Sequence, residues 1–192
     1  MNRKISAACA QLQGLLDGFC REQGGELARL AQQIGALFAG GGQLLLAGSA
    51  SFQPVVQLLA GHFTYRLGFD RPTLPAVALG SDALLVAVMQ NRGQHDQHLV
   101  RHYRAQNSEN HLLLLLNDGS NSAPLRVLRD EVLESRRQVA LLSAVGQSDP
   151  LCRDGVDICI SLGTDSASRQ LELSLFAGQL LCELVEAELF GV

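Results

Sequence analysis

The sequence predicts an α/β protein: a three-layer αβα sandwich around a five-stranded parallel sheet, with long helices at both ends. Two observations support this fold class. Five short apolar segments alternate with helical stretches, and apolar residues recur at helical spacing near both termini. Strands that are apolar throughout and joined by helical crossovers form parallel sheets covered on both faces.

The elements follow in order along the chain. Residues 5–38 carry apolar side chains at helical spacing, interrupted only by Gly24-Gly25, and predict one long or broken amphipathic helix. Glycines 40–42 end it, since glycine accepts the left-handed conformation. We expect strands at 43–47, 75–79, 111–116, 137–143 and 156–160. Helices are expected near 53–67, 82–92, 94–106, 123–135 and 147–152, and over 166–190.

The length and composition predict one domain. With 192 residues, of which 47% are hydrophobic, and no repeat or linker, we expect a single domain over 1–192. The terminal helices carry more apolar surface than one sheet face can bury. We therefore expect a homo-oligomer, a tetramer or at least a dimer, with residues 1–40 as a helical segment used in oligomerisation.

Charge and cysteine usage exclude several classes of partner. The net charge of −4 gives no general attraction to nucleic acid or to anionic lipid, so direct binding to either is not expected. The N-terminal residues lack the apolar stretch of a signal peptide, and we expect a cytoplasmic protein. Five scattered cysteines without a C-x-x-C pair predict reduced thiols. No cofactor or metal is expected.

Two loops have the composition of an anion site. In an open parallel sheet, ligands bind where strands end and helix N-termini begin. Loops 48–52 and 117–122 both follow a predicted strand and precede a helix with proline in its first turn. The candidate ligand-binding residues are Gly48, Ser49, Ser51, Asn117, Gly119, Ser120, Asn121 and Ser122. We expect an anion against the amides of 120–122.

The same residue types are also ordinary turn and N-cap residues, so a purely structural role stays open. Asp118 argues against a phosphate in the second loop, because a carboxylate repels it unless the side chain points away or binds a cation.

Several short motifs carry a family resemblance over nearly the whole chain. They are the stretch 71–79, Ser81-Asp82, Asn91 ahead of His95-Asp96, Asn121-Ser122 and the segment 169–172. On these motifs the sequence resembles the phosphoheptose isomerase group of sugar isomerase (SIS) proteins, and within it the DnaA initiator-associating proteins. The resemblance implies a flavodoxin-like parallel sheet, a phosphosugar site shared between subunits and a tetramer. It adds Glu172 to the candidate phosphosugar-binding residues.

Both loops depart from the pattern of that family. The family typically has glycine-asparagine-glycine-glycine-serine where this chain has residues 48–52, so Phe52 stands at the usual hydroxyl. Of the family's serine-threonine-serine-glycine-asparagine-serine loop, only Asn121-Ser122 remains. We expect weakened phosphate binding, with the Phe52 ring crowding the first loop.

The catalytic positions differ as well. Interconverting an aldose and a ketose needs a base that moves a proton between adjacent carbons. In the enzymes that this chain resembles, a glutamate on the helix after the first loop and a histidine on the last helix do this work. His62 and Gln179 stand at the matching positions. Glutamine cannot transfer protons at neutral pH. His62 is therefore the one candidate catalytic residue, with a core or interface role as the alternative.

Three further histidines, His95, His98 and His102, are spaced to share one helical face. A metal site and a polar, solvated or intersubunit face are both open for them.

Two functions follow. The first is a noncatalytic phosphosugar-binding or regulatory module with a protein partner such as a replication initiator. The second is a sedoheptulose 7-phosphate isomerase, or a related sugar-phosphate isomerase, with a rebuilt active site that uses His62. The loss of both catalytic counterparts favours the first.

Overall fold

The computed structural model describes residues 2–106, 109–153 and 155–191. Positions 1 and 192, the ends of the expected domain, lie outside this range. The helices are α1 (Asn2–Ala39), α2 (Gln53–Thr64), α3 (Ala83–Asn91), α4 (His98–Gln106), α5 (Ala123–Glu134) and α6 (Ala167–Phe190). The strands are β1 (Gln43–Gly48), β2 (Ala76–Ala78), β3 (His111–Asn117), β4 (Gln138–Ser143) and β5 (Ile158–Ser161).

The described residues form a five-stranded sheet in the order β2-β1-β3-β4-β5, and every strand pair is parallel. This confirms the predicted fold class. From β1 the chain goes to β2 on one side and returns to β3 on the other. The topological switch point, where open α/β sheets bind ligands, therefore lies between the C-terminal ends of β1 and β3.

Each face of the sheet has its own apolar core. Leu44 and Leu46 point into the core covered by α1, α2 and α6, whereas Leu45 and Ala47 point into the core covered by α4 and α5. Successive side chains of a strand alternate between faces, so a strand buried on both sides is apolar at every position. This explains the five apolar segments in the sequence.

The predicted helix over 147–152 is wrong. A 3₁₀ turn, Gly146–Ser148, stands there instead, and Asp149 is extended with φ −65° and ψ 133°. The next residue is Pro150, which disfavours helical geometry in the residue before it. Elsewhere the predicted strands and helices are confirmed, with shifts of a few residues at their ends.

The first helix is continuous through Gly24-Gly25 and packs along α6. A Cβ atom on Gly35 would lie 2.9 Å from the Glu188 Cγ atom, so the two helices approach closely there. The part of α1 before Phe19 is largely exposed in this chain. No helix in the described ranges is both long and apolar enough to span a membrane.

Candidate functional site

The C-terminal ends of β1 and β3 border a cavity of about 380 Å³, called here the switch-point cavity. Its polar lining consists of Ser49, Gln53, His95, His98 and Ser122. A larger cavity of about 730 Å³ runs between α1 and the edge strand β5. We place the site in the smaller cavity because ligands of open parallel sheets bind at the switch point rather than along a sheet edge.

The first loop brings Ser49 to the cavity and turns the chain into α2. The Ser49 carbonyl accepts hydrogen bonds from the amides of Phe52 (2.8 Å) and Gln53 (3.0 Å), which starts the helix. The Phe52 ring is buried in the core beneath the loop, beside Val56, and does not line the cavity. The expectation that this ring crowds the ligand loop is therefore wrong. Its apolar character draws it into the core instead.

The second loop is held by its own carboxylate. Asp118 accepts a hydrogen bond from the Ser51 hydroxyl at 2.8 Å and another from the Ser120 amide at 3.1 Å. Burial alone raises the pKa of Asp118, but the hydrogen bonds from Ser120, Ser51 and Ser49 outweigh it and hold the pKa below its ordinary value. Asp118 is thus a carboxylate that links the two loops.

Two of the three amides expected to hold an anion have partners within the protein. The Ser120 amide is bonded to Asp118, and the Ser122 amide donates to the Ser120 carbonyl at 2.9 Å. Neither of these two amides is left for a ligand. An anion cradle made from the amides of 120–122 would therefore lack two of its three donors.

Asn117 serves the framework rather than the ligand. Its side chain is fully buried, and its Nδ2 atom donates to both carboxylate oxygens of Asp149, at 3.0 and 2.9 Å, and to the Ser120 carbonyl. Asp149 also accepts from the Ser143 hydroxyl at 2.6 Å. This network joins the ends of β3 and β4 and explains why Asn117 faces away from the cavity.

Of the remaining candidate ligand-binding residues, some line the switch-point cavity and others do not. Gly48 lines the cavity with Ser49 and Ser122. Gly119 takes a positive φ of 85° in the second loop. Asn121 is exposed and lies outside the lining, and Glu172 is exposed on α6, paired with Arg169.

Two imidazoles that the sequence analysis did not assign to this site line the cavity. The rings of His95 and His98 stack with centroids 4.7 Å apart. The His98 Nδ1 atom lies 2.6 Å from the His95 carbonyl oxygen, and since a carbonyl only accepts, Nδ1 carries the hydrogen. Burial lowers the pKa of His98 and outweighs the hydrogen bond to the His95 carbonyl, which raises it. His95-Asp96 is one of the motifs that carry the family resemblance, but no spacing in the sequence placed His95 and His98 beside the loops.

The three histidines do not form a metal site. The His102 Nδ1 atom accepts the Gly80 amide at 3.1 Å, so its ring is directed at the backbone. Burial lowers the pKa of His102. Within residues 2–106, 109–153 and 155–191, no three His, Cys, Asp or Glu side chains are grouped closely enough to hold a metal ion.

His62 and Gln179 lie on α2 and α6, which pack against each other through Leu59 and Gly178. The His62 ring is half-buried, and its Nε2 atom is buried without a hydrogen-bond partner. Neither residue lines the switch-point cavity.

The sheet order and the cavity at its switch point define an α/β protein of the SIS type. No protein-family model matches the chain. The phosphoheptose isomerase of Desulfovibrio desulfuricans is 30% identical over 182 residues, which cover 92% of this chain and 83% of that protein. The chain belongs to the phosphoheptose isomerase family.

Solved structures show the same fold. A phosphoheptose isomerase from Francisella tularensis superposes with a TM-score of 0.85 at 18% identity, covering 95% of this chain and 96% of that one. Phosphoheptose isomerase GmhA from Neisseria gonorrhoeae gives 0.83 at 16% identity, covering 96% and 98%. The relative from Desulfovibrio desulfuricans favours the isomerase alternative over the noncatalytic module, and none of the proteins named here supports the finer likeness to DnaA initiator-associating proteins.

Proposed function

We propose that this chain is a sugar-phosphate isomerase that binds its substrate in the switch-point cavity. The cavity itself carries the proposal. Its volume of about 380 Å³ is in the range of small-molecule sites, and Ser49 and Ser122 line it from the two loops. Membership of the phosphoheptose isomerase family supports a phosphorylated sugar as the ligand.

His62 is the proton-transfer group in this proposal. Its Nε2 atom is buried and unpartnered, so the ring has a nitrogen that no protein group occupies. However, it lies nine positions along α2 from Gln53 at the cavity, which is about 14 Å along the helix axis. That exceeds hydrogen-bond reach. The proposal therefore includes a homo-oligomer, a tetramer or at least a dimer, in which a neighbouring subunit completes the site.

Exposed apolar side chains on the same helices support the oligomer. Leu58 on α2 is 45% exposed and Leu171 on α6 is 38% exposed. The exposed first part of α1 is the segment expected to join the interface. A single domain and a cytoplasmic location belong to the same proposal.

The test is a coupled assay with purified protein and sedoheptulose 7-phosphate. The proposal expects turnover on the order of 1 per second or faster. His62→Gln should lower kcat by about 10² to 10⁴. His111→Gln is the matched control, because His111 lies at the opposite end of β3 and its ring bonds the Tyr103 hydroxyl. Equal loss in both variants would remove His62 from the mechanism.

A noncatalytic regulatory protein, of the type that associates with the initiator DnaA, is the second candidate. Two observations favour it: Gln179 cannot transfer protons, and Asp118 occupies the second loop. Calorimetry separates the two candidates. Saturable binding of sedoheptulose 7-phosphate without turnover supports the regulatory protein, whereas the absence of both contradicts both.

A further inference from the structure

The switch-point cavity lacks the usual means of holding a phosphate. Within the described part of the chain, no lysine or arginine lines it. The Ser120 and Ser122 amides of the second loop are bonded to Asp118 and to the Ser120 carbonyl. A phosphate dianion that entered this cavity would lose its hydrating water. Neither a cation nor those two amides would replace the lost hydrogen bonds, and burying an uncompensated charge is costly.

The two stacked imidazoles are the groups in the lining that can become cationic. We propose that His95 and His98 hold the phosphate of the sugar phosphate, with His98 taking up a proton from solvent as the ligand binds. This inference rests on the proposed function, since it assigns residues to the phosphate end of the same substrate. In this arrangement His62 acts on the sugar end of the substrate.

The hydrogen bonding of His98 selects the atom that takes the proton. Nδ1–H donates to the His95 carbonyl at 2.6 Å, so Nε2 keeps its lone pair in the neutral ring. Nε2 lies beside Gly80, which also lines the cavity: a Cβ atom on that glycine would be 3.6 Å from it. On protonation, Nε2–H becomes a charged donor for a phosphate oxygen.

The surroundings of His98 favour its neutral form until an anion arrives. The His95 ring stacks on His98 with centroids 4.7 Å apart. Burial lowers the pKa of His98 and outweighs the hydrogen bond to the His95 carbonyl, which raises it. The other titratable groups nearby are Asp96 on the same turn, His102 on α4, Asp82 at the start of α3, and Asp118, bonded to Ser51. From α2 and α5 the cavity receives only the uncharged Gln53 and Ser122 as polar groups.

Calorimetry with sedoheptulose 7-phosphate tests the linkage directly. A phosphate ester is a dianion above pH 7, because its second pKa is about 6. Any change in Kd from pH 7 to pH 8 then reports on the protein. The expected rise in Kd is about tenfold, since the protonated fraction of an imidazole falls about tenfold per pH unit above its pKa. Repeating the titration in two buffers of different ionisation heat should show an uptake of about one proton.

Two variants locate the proton. His98→Asn keeps a donor near the Nδ1 position but cannot be protonated, and His95→Gln removes the second ring. Each should weaken binding at pH 7 by about 10-fold to 100-fold. His98→Asn should also flatten the pH dependence, whereas His95→Gln, which keeps the His98 ring, should retain it. His111→Gln should keep both the wild-type Kd and its pH dependence. Circular dichroism and thermal melting without ligand check that each variant is folded.

The outcomes are distinct. Wild-type binding that is independent of pH, without proton uptake, overturns the inference and leaves the proposed function standing, even if a variant fails to fold. Folded variants that bind like the wild type do the same. Wild-type protein that binds no sedoheptulose 7-phosphate contradicts the proposed function and this inference together.

Discussion

The buried ion pair between Arg71 and Glu186 permits a quantitative prediction. The two side chains are 0% and 4% exposed, and the Arg71 Nε atom lies 2.6 Å from the Glu186 Oε1 atom. Arg71 also donates to the carbonyls of His62 (2.8 Å) and Phe63 (2.9 Å), so it ties the end of α2 to α6. Glu186→Gln leaves the guanidinium buried without a counter-charge.

Removing one partner of a buried pair costs about 3 to 5 kcal/mol of the free energy of unfolding. For a chain of this length, each kcal/mol shifts Tm by about 2 to 4 °C, so Tm should fall by roughly 6 to 20 °C. Urea unfolding followed by circular dichroism measures the loss. Both values are to be compared at one protein concentration, because an oligomer's Tm depends on it.

The matched control is the exposed pair of Arg66 and Asp70, whose side chains are 40% and 92% exposed. Asp70→Asn should cost at most about 1 kcal/mol, because water screens a surface pair. The double variant Arg71→Met with Glu186→Leu should recover much of the stability lost in Glu186→Gln, since no unpaired charge stays buried. A loss below about 1 kcal/mol in Glu186→Gln would refute the reasoning.

Four further predictions follow from other parts of the molecule. Asp118→Asn should lower the Kd for sedoheptulose 7-phosphate about tenfold, because it removes a negative charge between the two loops. Weaker binding by calorimetry would contradict this. Gly178→Ala should lower the free energy of unfolding, measured in urea, by about 1 to 3 kcal/mol, since the new Cβ would lie 2.4 Å from the Leu59 Cδ1 atom. An unchanged urea midpoint would mean that the Leu59 side chain can move aside without cost. Burial lowers the pKa of both His98 and His102 below the ordinary 6.5, so the unfolded chain binds more protons than the folded one in acid. The free energy of unfolding should therefore fall as the pH drops from 7 to 5.5. Urea midpoints that do not change with pH would count against this. Light scattering at micromolar concentration should show a tetramer or at least a dimer, and a stable monomer would exclude the shared site.

The sequence predicts the framework well because the framework depends on local patterns. The apolar run 112–116 identifies the central strand, since a strand buried on both faces is apolar at every position. The loops after β1 and β3 were also predictable, because small and polar residues interrupt the apolar pattern there. The helix expected over 147–152 failed where Pro150 and the side-chain bonds of Asp149 outweighed a weak periodicity.

Patterns along the chain are sufficient to locate the strands, the long helices, the parallel sheet and the two loops at its C-terminal edge. The roles of the polar groups depend on how distant segments pack together. Ser51 and Asp118 are 67 positions apart, and Arg71 and Glu186 are 115 apart, yet each pair is in hydrogen-bond contact. The stacked imidazoles likewise reach the cavity only after α4 packs on the sheet. Periodicity reports which face a residue occupies, whereas hydrogen bonds depend on distances of about 3 Å that packing alone sets.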